Sequence, residues 1–220
     1  MKTNLSNLHL TFIGCGVMAE SIVAGLLRKN LVRAEQITAS HPRPSRREEL
    51  SEKYGIRVFE KNTEAVESVK SNENSSVFLC VKPQRIKGIL DELKGFVAPN
   101  QMVLSIVAGA RIETISDALG NEKIVRTMPN TPSQIGAGMT AWTCTEAVSE
   151  EEKAQVRSLL SALGKELYVE NENMIDMATS LSATGPTYIF MVMEALTDAG
   201  VHMGFSREVS RELVQETMLR

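Results

Sequence analysis

The chain has few of the residues that build metal centres and disulfide frameworks. Its 220 residues include only three cysteines and three histidines. Cys15, Cys80 and Cys144 are odd in number, far apart and set in apolar segments, which is not the spacing of a zinc site or of a secreted disulfide scaffold. The pattern predicts buried thiols in a reducing compartment, no metal, and hence a cytoplasmic protein.

The chain also lacks a strong excess of charge and a long apolar run. It has 24 Lys and Arg against 27 Asp and Glu, a net charge of −3, without the basic patch of a nucleic-acid or anionic-membrane binder. Residues 1–10 do not show a signal-peptide pattern. The uncharged segment 179–193 contains Gly185-Pro186 and is too short for a membrane span. We therefore expect neither a nucleic-acid nor a membrane partner.

Short apolar runs rich in Val, Ile and Phe alternate with longer segments of helical periodicity from Leu8 to about Val169. This alternation is typical of βαβ units and a parallel sheet. It predicts an α/β fold whose doubly wound first domain covers residues 1–169. The expected strands are residues 8–13, 36–40, 56–59, 76–81, 102–106 and 123–127.

The last part of the chain changes character. Ser149 followed by Glu152 is a capping-box pattern that begins a last crossover helix, expected to end near Gly164. Residues 170–220 show only helical patterns, divided at Gly185-Pro186 and at residues 204–206. They predict a separate all-helical domain over residues 170–220. Its final helical pattern has no stop signal, so we expect this domain to be incomplete at its C-terminus.

One segment of the helical region is apolar on every side. Residues 188–192, Tyr-Ile-Phe-Met-Val, would cover the whole circumference of a helix. So few residues follow Gly185 that the region can hardly cover this helix by itself. The pattern predicts self-association of the chain as a dimer or a higher oligomer.

A glycine fingerprint follows the first predicted strand. Gly14, Gly16 and Ala19 form a G-x-G-x-x-A pattern between that strand and a helix. Gly14 permits the tight turn, Gly16 allows a pyrophosphate to approach, and Ala19 permits close helix packing, while the helix N-terminus faces the phosphates. The context predicts a Rossmann dinucleotide-binding domain.

The end of the second predicted strand bears on which dinucleotide is bound. NAD-selective domains place an acidic residue there, whereas this chain has Ser40 and His41, with Arg43, Arg46 and Arg47 close behind. Ser40 can hydrogen-bond a 2′-phosphate, and at least one arginine can add a charge-assisted contact. The segment predicts NADPH as the cofactor, with NADH as the alternative. Lys82, which follows the predicted strand 76–81, is expected beside the same crevice.

Five motifs occur in order along the chain: residues 12–20 (FIGCGVMAE), 81–84 (VKPQ), 105–109 (SIVAG), 126–132 (RTMPNTP) and 181–186 (LSATGP). Together they resemble the pyrroline-5-carboxylate reductase family, and the resemblance extends from about Leu8 to Arg220. It implies NAD(P)H-dependent reduction of 1-pyrroline-5-carboxylate to L-proline, the last step of proline biosynthesis, by hydride transfer to a cyclic imine. It also implies a Rossmann domain followed by a helical dimerisation domain.

The resemblance also implies which residues bind the two small molecules. Glu172 and Thr184 fall on the substrate side, and no side chain is singled out as catalytic. The cofactor contacts that motif matching and strand-end analysis predict together are Ile13, Gly14, Cys15, Gly16, Val17, Met18, Ser40, His41, Arg43, Asn62, Cys80, Val81, Lys82, Pro83, Ile106, Val107 and Ala108.

Two alternatives share the fingerprint. One is a dehydrogenase of the 3-hydroxyacid type, whose glycine-rich helix and catalytic lysine are not found here. The other is a non-catalytic or truncated nucleotide-binding relative, which would bind the cofactor without turnover.

Overall fold

The computed structural model describes residues 5–72 and 74–219. Residues 1–4, Glu73 and Arg220 lie outside the described residues. They include the first four residues of the segment 1–10, which shows no signal-peptide pattern, and the last residue of the predicted helical domain. The strands, all in one sheet, are β1 His9–Ile13, β2 Ile37–Ser40, β3 Arg57–Phe59, β4 Ser75–Leu79, β5 Met102–Ser105, β6 Ile124–Met128, β7 Gly138–Cys144 and β8 Gly164–Tyr168.

Helices cover both faces of this sheet and form the C-terminal region. They are α1 Val17–Arg28, α2 Pro44–Tyr54, α3 Asn62–Glu67, α4 Ile86–Leu93, α5 Ile112–Leu119, α6 Glu150–Leu160, α7 Asn173–Ala178, α8 Gly185–His202 and α9 Arg207–Leu219. None of the helices in the described residues is both long enough and apolar enough to cross a membrane.

The order of the strands creates a crevice. The sheet runs β3-β2-β1-β4-β5-β6-β7-β8, and the first six strands are parallel. This is the order of two mononucleotide-binding halves, and the chain reverses its direction of winding between β1 and β4. Connections leave β1 and β4 toward opposite sides, so a crevice opens at the carboxyl ends of these neighbours.

The alternation of side chains along the strands divides the core into two layers. Leu10 and Phe12 of β1 pack on one face with α1 and α6, while Ile13 faces the opposite layer with Val77 and Leu79. Such alternation follows from the period of two residues in a strand. The sheet is therefore buried on both sides, as expected for parallel strands.

The six predicted strands are confirmed, each to within two residues. The expected parallel pairing is confirmed for these six strands, whereas β7 pairs antiparallel with β6, and β8 extends the sheet by pairing parallel with β7. Both strands were missed. β7 carries glycine, alanine and two threonines in place of an apolar run, and β8 has charged Lys165 and Glu166 on an edge.

The predicted capping box is confirmed at the start of α6. The Ser149 hydroxyl accepts a hydrogen bond from the Glu152 N–H at 3.2 Å, and the Glu152 carboxylate accepts one from the Ser149 N–H at 2.8 Å. The helix ends at Leu160, four residues before the expected Gly164, where β8 instead begins.

The helical region contains the three helices α7, α8 and α9 within the described residues. Residues Thr179–Ala183 form a π-helical segment between α7 and α8. Gly185-Pro186, expected as a break, forms the first turn of α8, where a proline costs no hydrogen bond. In the single chain residues 188–192 are 49 to 64% exposed, so the cover that their apolar pattern predicts does not come from this chain.

Candidate cofactor and substrate site

A cavity of about 750 Å³ opens at the carboxyl ends of β1, β2 and β4. It contains many of the residues predicted to contact the cofactor. Its lining consists of Gly14, Gly16, Val17, His41, Pro42, Arg43, Arg46, Glu49, Glu60, Asn62, Cys80, Val81, Lys82, Arg85, Gly88, Ile89 and Glu92.

The two fingerprint glycines have different structural roles. Gly14 has a φ of 80°, and a Cβ there would lie 2.6 Å from the Val81 side chain, so the turn requires glycine. At Gly16 a Cβ would meet, among the described residues, only the Gly14 carbonyl oxygen within 4 Å, at 3.9 Å. Gly16 thus faces open space at the start of α1, where an anion can approach the helix N-terminus.

Backbone hydrogen bonds hold the strand ends together around the cavity. The N–H of Cys15 donates to the Ser40 carbonyl, and that of Cys80 donates to the Ile13 carbonyl, both at 2.9 Å. The Ile106 N–H donates to the Leu79 carbonyl at 3.1 Å. Five predicted cofactor residues are therefore brought to one edge, although Ile13, Cys15, Ser40 and Ile106 do not themselves line the cavity.

Ser40 supports the glycine turn. Its side chain is buried, its hydroxyl donates to the Asn62 Oδ1 at 2.7 Å, and it accepts from the Gly14 N–H at 3.3 Å. The expected direct hydrogen bond from Ser40 to a 2′-phosphate does not fit this geometry. Asn62 lies between Ser40 and the cavity and donates to Glu92 at 2.8 Å. Of these two polar side chains, Asn62 is thus the one that lines the cavity.

Two of the three nearby arginines are engaged by carboxylates. Arg46 bonds Glu20 at 2.5 Å and Glu49 at 2.8 Å. Arg47 bonds Glu60 at 3.0 Å and two backbone carbonyls. The residues at the end of β2 give no sign of Glu20 and Glu60, because Glu20 lies on α1 and Glu60 follows β3. No spacing rule connects those positions with Ser40.

Arg43 differs from Arg46 and Arg47 in that none of the described residues forms an ion pair with it. It is exposed, it lines the cavity, and its guanidinium has no ion-pair partner in residues 5–72 and 74–219. Its backbone N–H donates to His41 Nδ1 at 3.2 Å. Burial and the positive charge of Arg43 lower the pKa of His41, so the ring adds no charge at neutral pH.

Burial disfavours the thiolate form of both cysteines at the crevice. Burial raises the pKa of the Cys15 thiol to about 12 and that of Cys80 well above its usual value. Uncharged thiols do not repel phosphate, and they are inert. The prediction of buried thiols holds fully only for Cys15, because Cys80 and Cys144 are partly exposed.

The remaining predicted cofactor residues surround the same edge. Val17 is exposed on the first turn of α1 beside Met18, and Val81 and Lys82 line the cavity. Met18 and Pro83 do not line it. Farther along the sheet, Val107 is buried after β5 and Ala108 is exposed, and neither belongs to the cavity lining.

The predicted substrate residues lie in the helical region next to β6. Glu172 bonds the buried Arg126 of β6 at 2.8 Å and also accepts a hydrogen bond from the Ile112 N–H at 2.8 Å. Thr184 follows the π-helical segment, and its hydroxyl donates to the Thr179 carbonyl at 2.9 Å. Neither residue lines the cofactor cavity. Arg126 was named within a motif but given no role, since an arginine inside a strand carries no functional pattern.

Comparison with known proteins identifies the family. A family model described as "NADP oxidoreductase coenzyme F420-dependent" matches residues 9–109, and one described as "Pyrroline-5-carboxylate reductase dimerisation" matches residues 172–219. The pyrroline-5-carboxylate reductase of Pseudomonas aeruginosa is 38% identical over 216 residues, which cover 98% of this chain and 77% of that protein. The chain belongs to the pyrroline-5-carboxylate reductase family.

Solved structures of this reductase family share the fold. That of Coxiella burnetii is 32% identical, with a TM-score of 0.86 over all of this chain and 78% of the other. That of Plasmodium falciparum, solved with NADP bound, is 27% identical, with a TM-score of 0.82 over 97% of this chain and 76% of the other. Family membership confirms the resemblance seen in the five motifs and makes the chain an NAD(P)H-dependent oxidoreductase. The 3-hydroxyacid-type alternative is thereby set aside.

Glu20, to which no sequence pattern gave a role, binds three side chains beside the crevice of this reductase. Burial alone would raise its pKa, but hydrogen bonds from Arg46, Lys53 and Tyr54 lower the pKa to about 2. A carboxyl whose pKa falls on folding stabilises the fold at pH values above its ordinary pKa of 4.5. That stabilisation is lost as the pH decreases toward 2.

Glu20→Gln should therefore remove on the order of 2 kcal/mol from the free energy of unfolding at pH 7. Between pH 5 and 2 the stability of the variant should change less than that of the unaltered chain. Urea unfolding at several pH values measures both. Glu35→Gln is the matched control, because Glu35 pairs with Arg33 at 4.0 Å while its side chain is 80% exposed. Equal pH dependence in the Glu20 variant and the unaltered chain would contradict the assignment.

Proposed function

We propose that this chain reduces 1-pyrroline-5-carboxylate to L-proline and that NADPH is its preferred hydride donor. The observation that carries the proposal is the cavity at the carboxyl ends of β1, β2 and β4, which combines the glycine turn with the exposed Arg43. Family membership supports the reaction. The bound NADP of the Plasmodium falciparum relative supports the choice of dinucleotide.

The residues of the cavity fit a dinucleotide. The open space at Gly16 and the start of α1 suit a pyrophosphate, since backbone N–H groups face it there. Lys82, at the end of β4, adds a positive charge beside this turn. A bound reduced nicotinamide supplies a hydride, which the protein has only to orient. We assign phosphate binding to the turn of residues 14–18.

The preference for NADPH follows from the distribution of charge. Arg43 can make a charge-assisted contact with a 2′-phosphate without giving up another partner. Glu60 pairs with Arg47, and Glu49 shares Arg46 with Glu20, so that two of the three acids of the lining have a positively charged partner. We therefore assign Arg43 to the 2′-phosphate, with Asn62 beside it.

The substrate side uses the helical region. We propose that Glu172 and Thr184 contact the imine substrate where the region meets the sheet. No side chain is assigned as a nucleophile, because hydride transfer to a protonated imine needs orientation and charge more than covalent help.

Self-association covers the apolar face of α8. Residues 188–192 are about half exposed or more, and full burial of each large apolar side chain is worth about 1.5 to 3 kcal/mol. The dimerisation model that matches residues 172–219 supports a second copy of this chain as the cover. We place the boundary between the Rossmann domain and this helical dimerisation domain at residues 169 and 170.

Reduction and cofactor binding can be tested together. The unaltered chain should oxidise NADPH in the presence of 1-pyrroline-5-carboxylate and form proline. Gly16→Val should abolish this activity and weaken NADPH binding by about 100-fold, because the branched side chain fills the space of the pyrophosphate. The backbone at residue 16 is extended, so valine fits and the variant should fold. Binding without turnover by the unaltered chain would instead favour the non-catalytic alternative.

Arg43→Glu should separate the two dinucleotides. The variant should bind NADPH at least about 10-fold more weakly through charge repulsion and bind NADH within about 2-fold of the unaltered chain. Dissociation constants from nicotinamide fluorescence measure both. Arg33→Glu makes the same change of charge at an exposed position near the opposite edge of the sheet, and it should leave both constants unchanged. Equal losses for both dinucleotides would remove Arg43 from the 2′-phosphate.

Phe190→Glu should disrupt self-association. Phe190 is 64% exposed at the centre of the apolar segment, and a buried carboxylate there would have no partner of opposite charge. Sedimentation equilibrium at micromolar concentration should give at least two chains for the unaltered protein and one for the variant. Lys94→Glu, an exposed position near the end of α4, is the control. A soluble monomer for the unaltered chain would contradict the proposal.

A further inference from the structure

Arg126 is a charged residue in the interior of the sheet. Its side chain is only 2% exposed, and its two terminal nitrogens bind different carboxylates. One bonds Glu172 at 2.8 Å and the other bonds Asp176 at 2.5 Å. A buried guanidinium is costly unless paired, so these two contacts determine where the start of α7 can lie.

Glu172 is held from a second direction. The oxygen that binds Arg126 also accepts the Ile112 N–H, at the first residue of α5. Arg111 adds a longer contact of 3.9 Å to Asp176. Contacts from β6 and α5 thus converge on the acidic residues at the start of the helical region. A carboxylate with several fixed donors has little rotational freedom.

Asn130 holds the other end of the same segment. Its side-chain oxygen accepts a hydrogen bond from the Met139 N–H at 2.8 Å, which determines which way the amide faces. Its NH₂ group donates to the Ser182 carbonyl at 3.3 Å. Ser182 lies within the π-helical segment, two residues before Thr184. π-helical turns leave the regular hydrogen-bond pattern, and here Asn130 provides a side-chain partner.

Both contacts originate from one short stretch of the first domain. Arg126 is on β6 and Asn130 lies two residues after the end of that strand, and between them they hold residues 172 and 182. Glu172 and Thr184, the proposed substrate residues, stand at the two ends of the segment so held. The distance between the substrate and the nicotinamide therefore depends on β6.

We infer that Arg126 and Asn130 are positioning residues, which orient the substrate-binding segment 172–184 against the edge of the sheet that holds the cofactor. The inference rests on the proposed function for its substrate. Neither residue lines the cofactor cavity, so neither is assigned to cofactor binding. Packing alone would be served by an apolar side chain of similar volume at residue 126. A planar fork instead specifies the direction of two carboxylates.

Arg126→Lys and Asn130→Asp test the inference. Lysine keeps the charge but cannot bind both carboxylates with a rigid fork. Aspartate keeps the oxygen that accepts from Met139 but opposes the Ser182 carbonyl. Each variant should raise the KM for 1-pyrroline-5-carboxylate and lower kcat, with kcat/KM reduced by at least about 10-fold. The dissociation constant of NADPH should stay within about 2-fold of that of the unaltered chain.

The controls make the same chemical changes elsewhere. Arg57→Lys alters an arginine on β3 that bonds Thr38, and Asn30→Asp alters an exposed residue after α1. Both should leave KM and kcat unchanged. A merely structural role for Arg126 and Asn130 would reduce the amount of active enzyme, which lowers apparent kcat and leaves KM unchanged. That result, or unchanged kinetics in both variants, would overturn the inference.

Hydrogen exchange provides a readout that needs no turnover. In both variants the amides of residues 173–184 should exchange faster, while those of β1 and β4 should keep their protection. If Arg126→Lys fails to fold, Asn130→Asp still decides, because Asn130 lies outside the strand core. If the unaltered chain reduces no substrate, the proposed function fails, and unchanged exchange in this segment is what would then refute the positioning role.

Discussion

The parallel register of β1 and β4 is the constraint on which the site depends. Ile13 lies opposite Leu79, so both strands end at the same height, and their connections leave toward opposite faces. The crevice is a consequence of the topology, because the two diverging connections leave the strand ends between them uncovered. The backbone bonds from Cys15 and Cys80 to the neighbouring strand ends then hold the two turns side by side.

Two of the three arginines that follow β2 are held in ion pairs beside this opening. Arg46 is held by Glu20 beneath the turn, and Arg47 is held by Glu60 at the end of β3. Each of these arginines also donates hydrogen bonds to backbone carbonyls. It could turn toward a ligand only by breaking these bonds and its ion pair. Arg43 remains exposed at the rim. Which arginines of this segment are held in ion pairs is therefore determined by carboxylates that are distant in sequence.

Local patterns made the first domain predictable. The strand of residues 9–13, the glycine turn and the Ser149 cap each depend on neighbours within a few positions, and all were expected from the sequence. The antiparallel β7 was not, because its residues become a strand only by pairing with β6 across the sheet. The same limit applies to the site. The glycine spacing predicts the open turn at Gly16, whereas the hydrogen bond from Ser40 to Asn62 joins residues 22 positions apart and follows no local pattern.

The helical region shows why a site can depend on contacts that motifs do not reveal. The five motifs include residues 126–132 and 181–186, but their sequences do not show that these two motifs contact each other. In the structure Asn130 and Ser182 are joined by a hydrogen bond across 52 positions, and Arg126 reaches Glu172 and Asp176 in the same way. Hydride transfer requires that a donor and an acceptor be held at a fixed separation. When the two partners are bound by different parts of the chain, the contacts between those parts determine that separation. The buried fork of Arg126 connects the sheet to the start of the helical region, where we propose that the substrate binds.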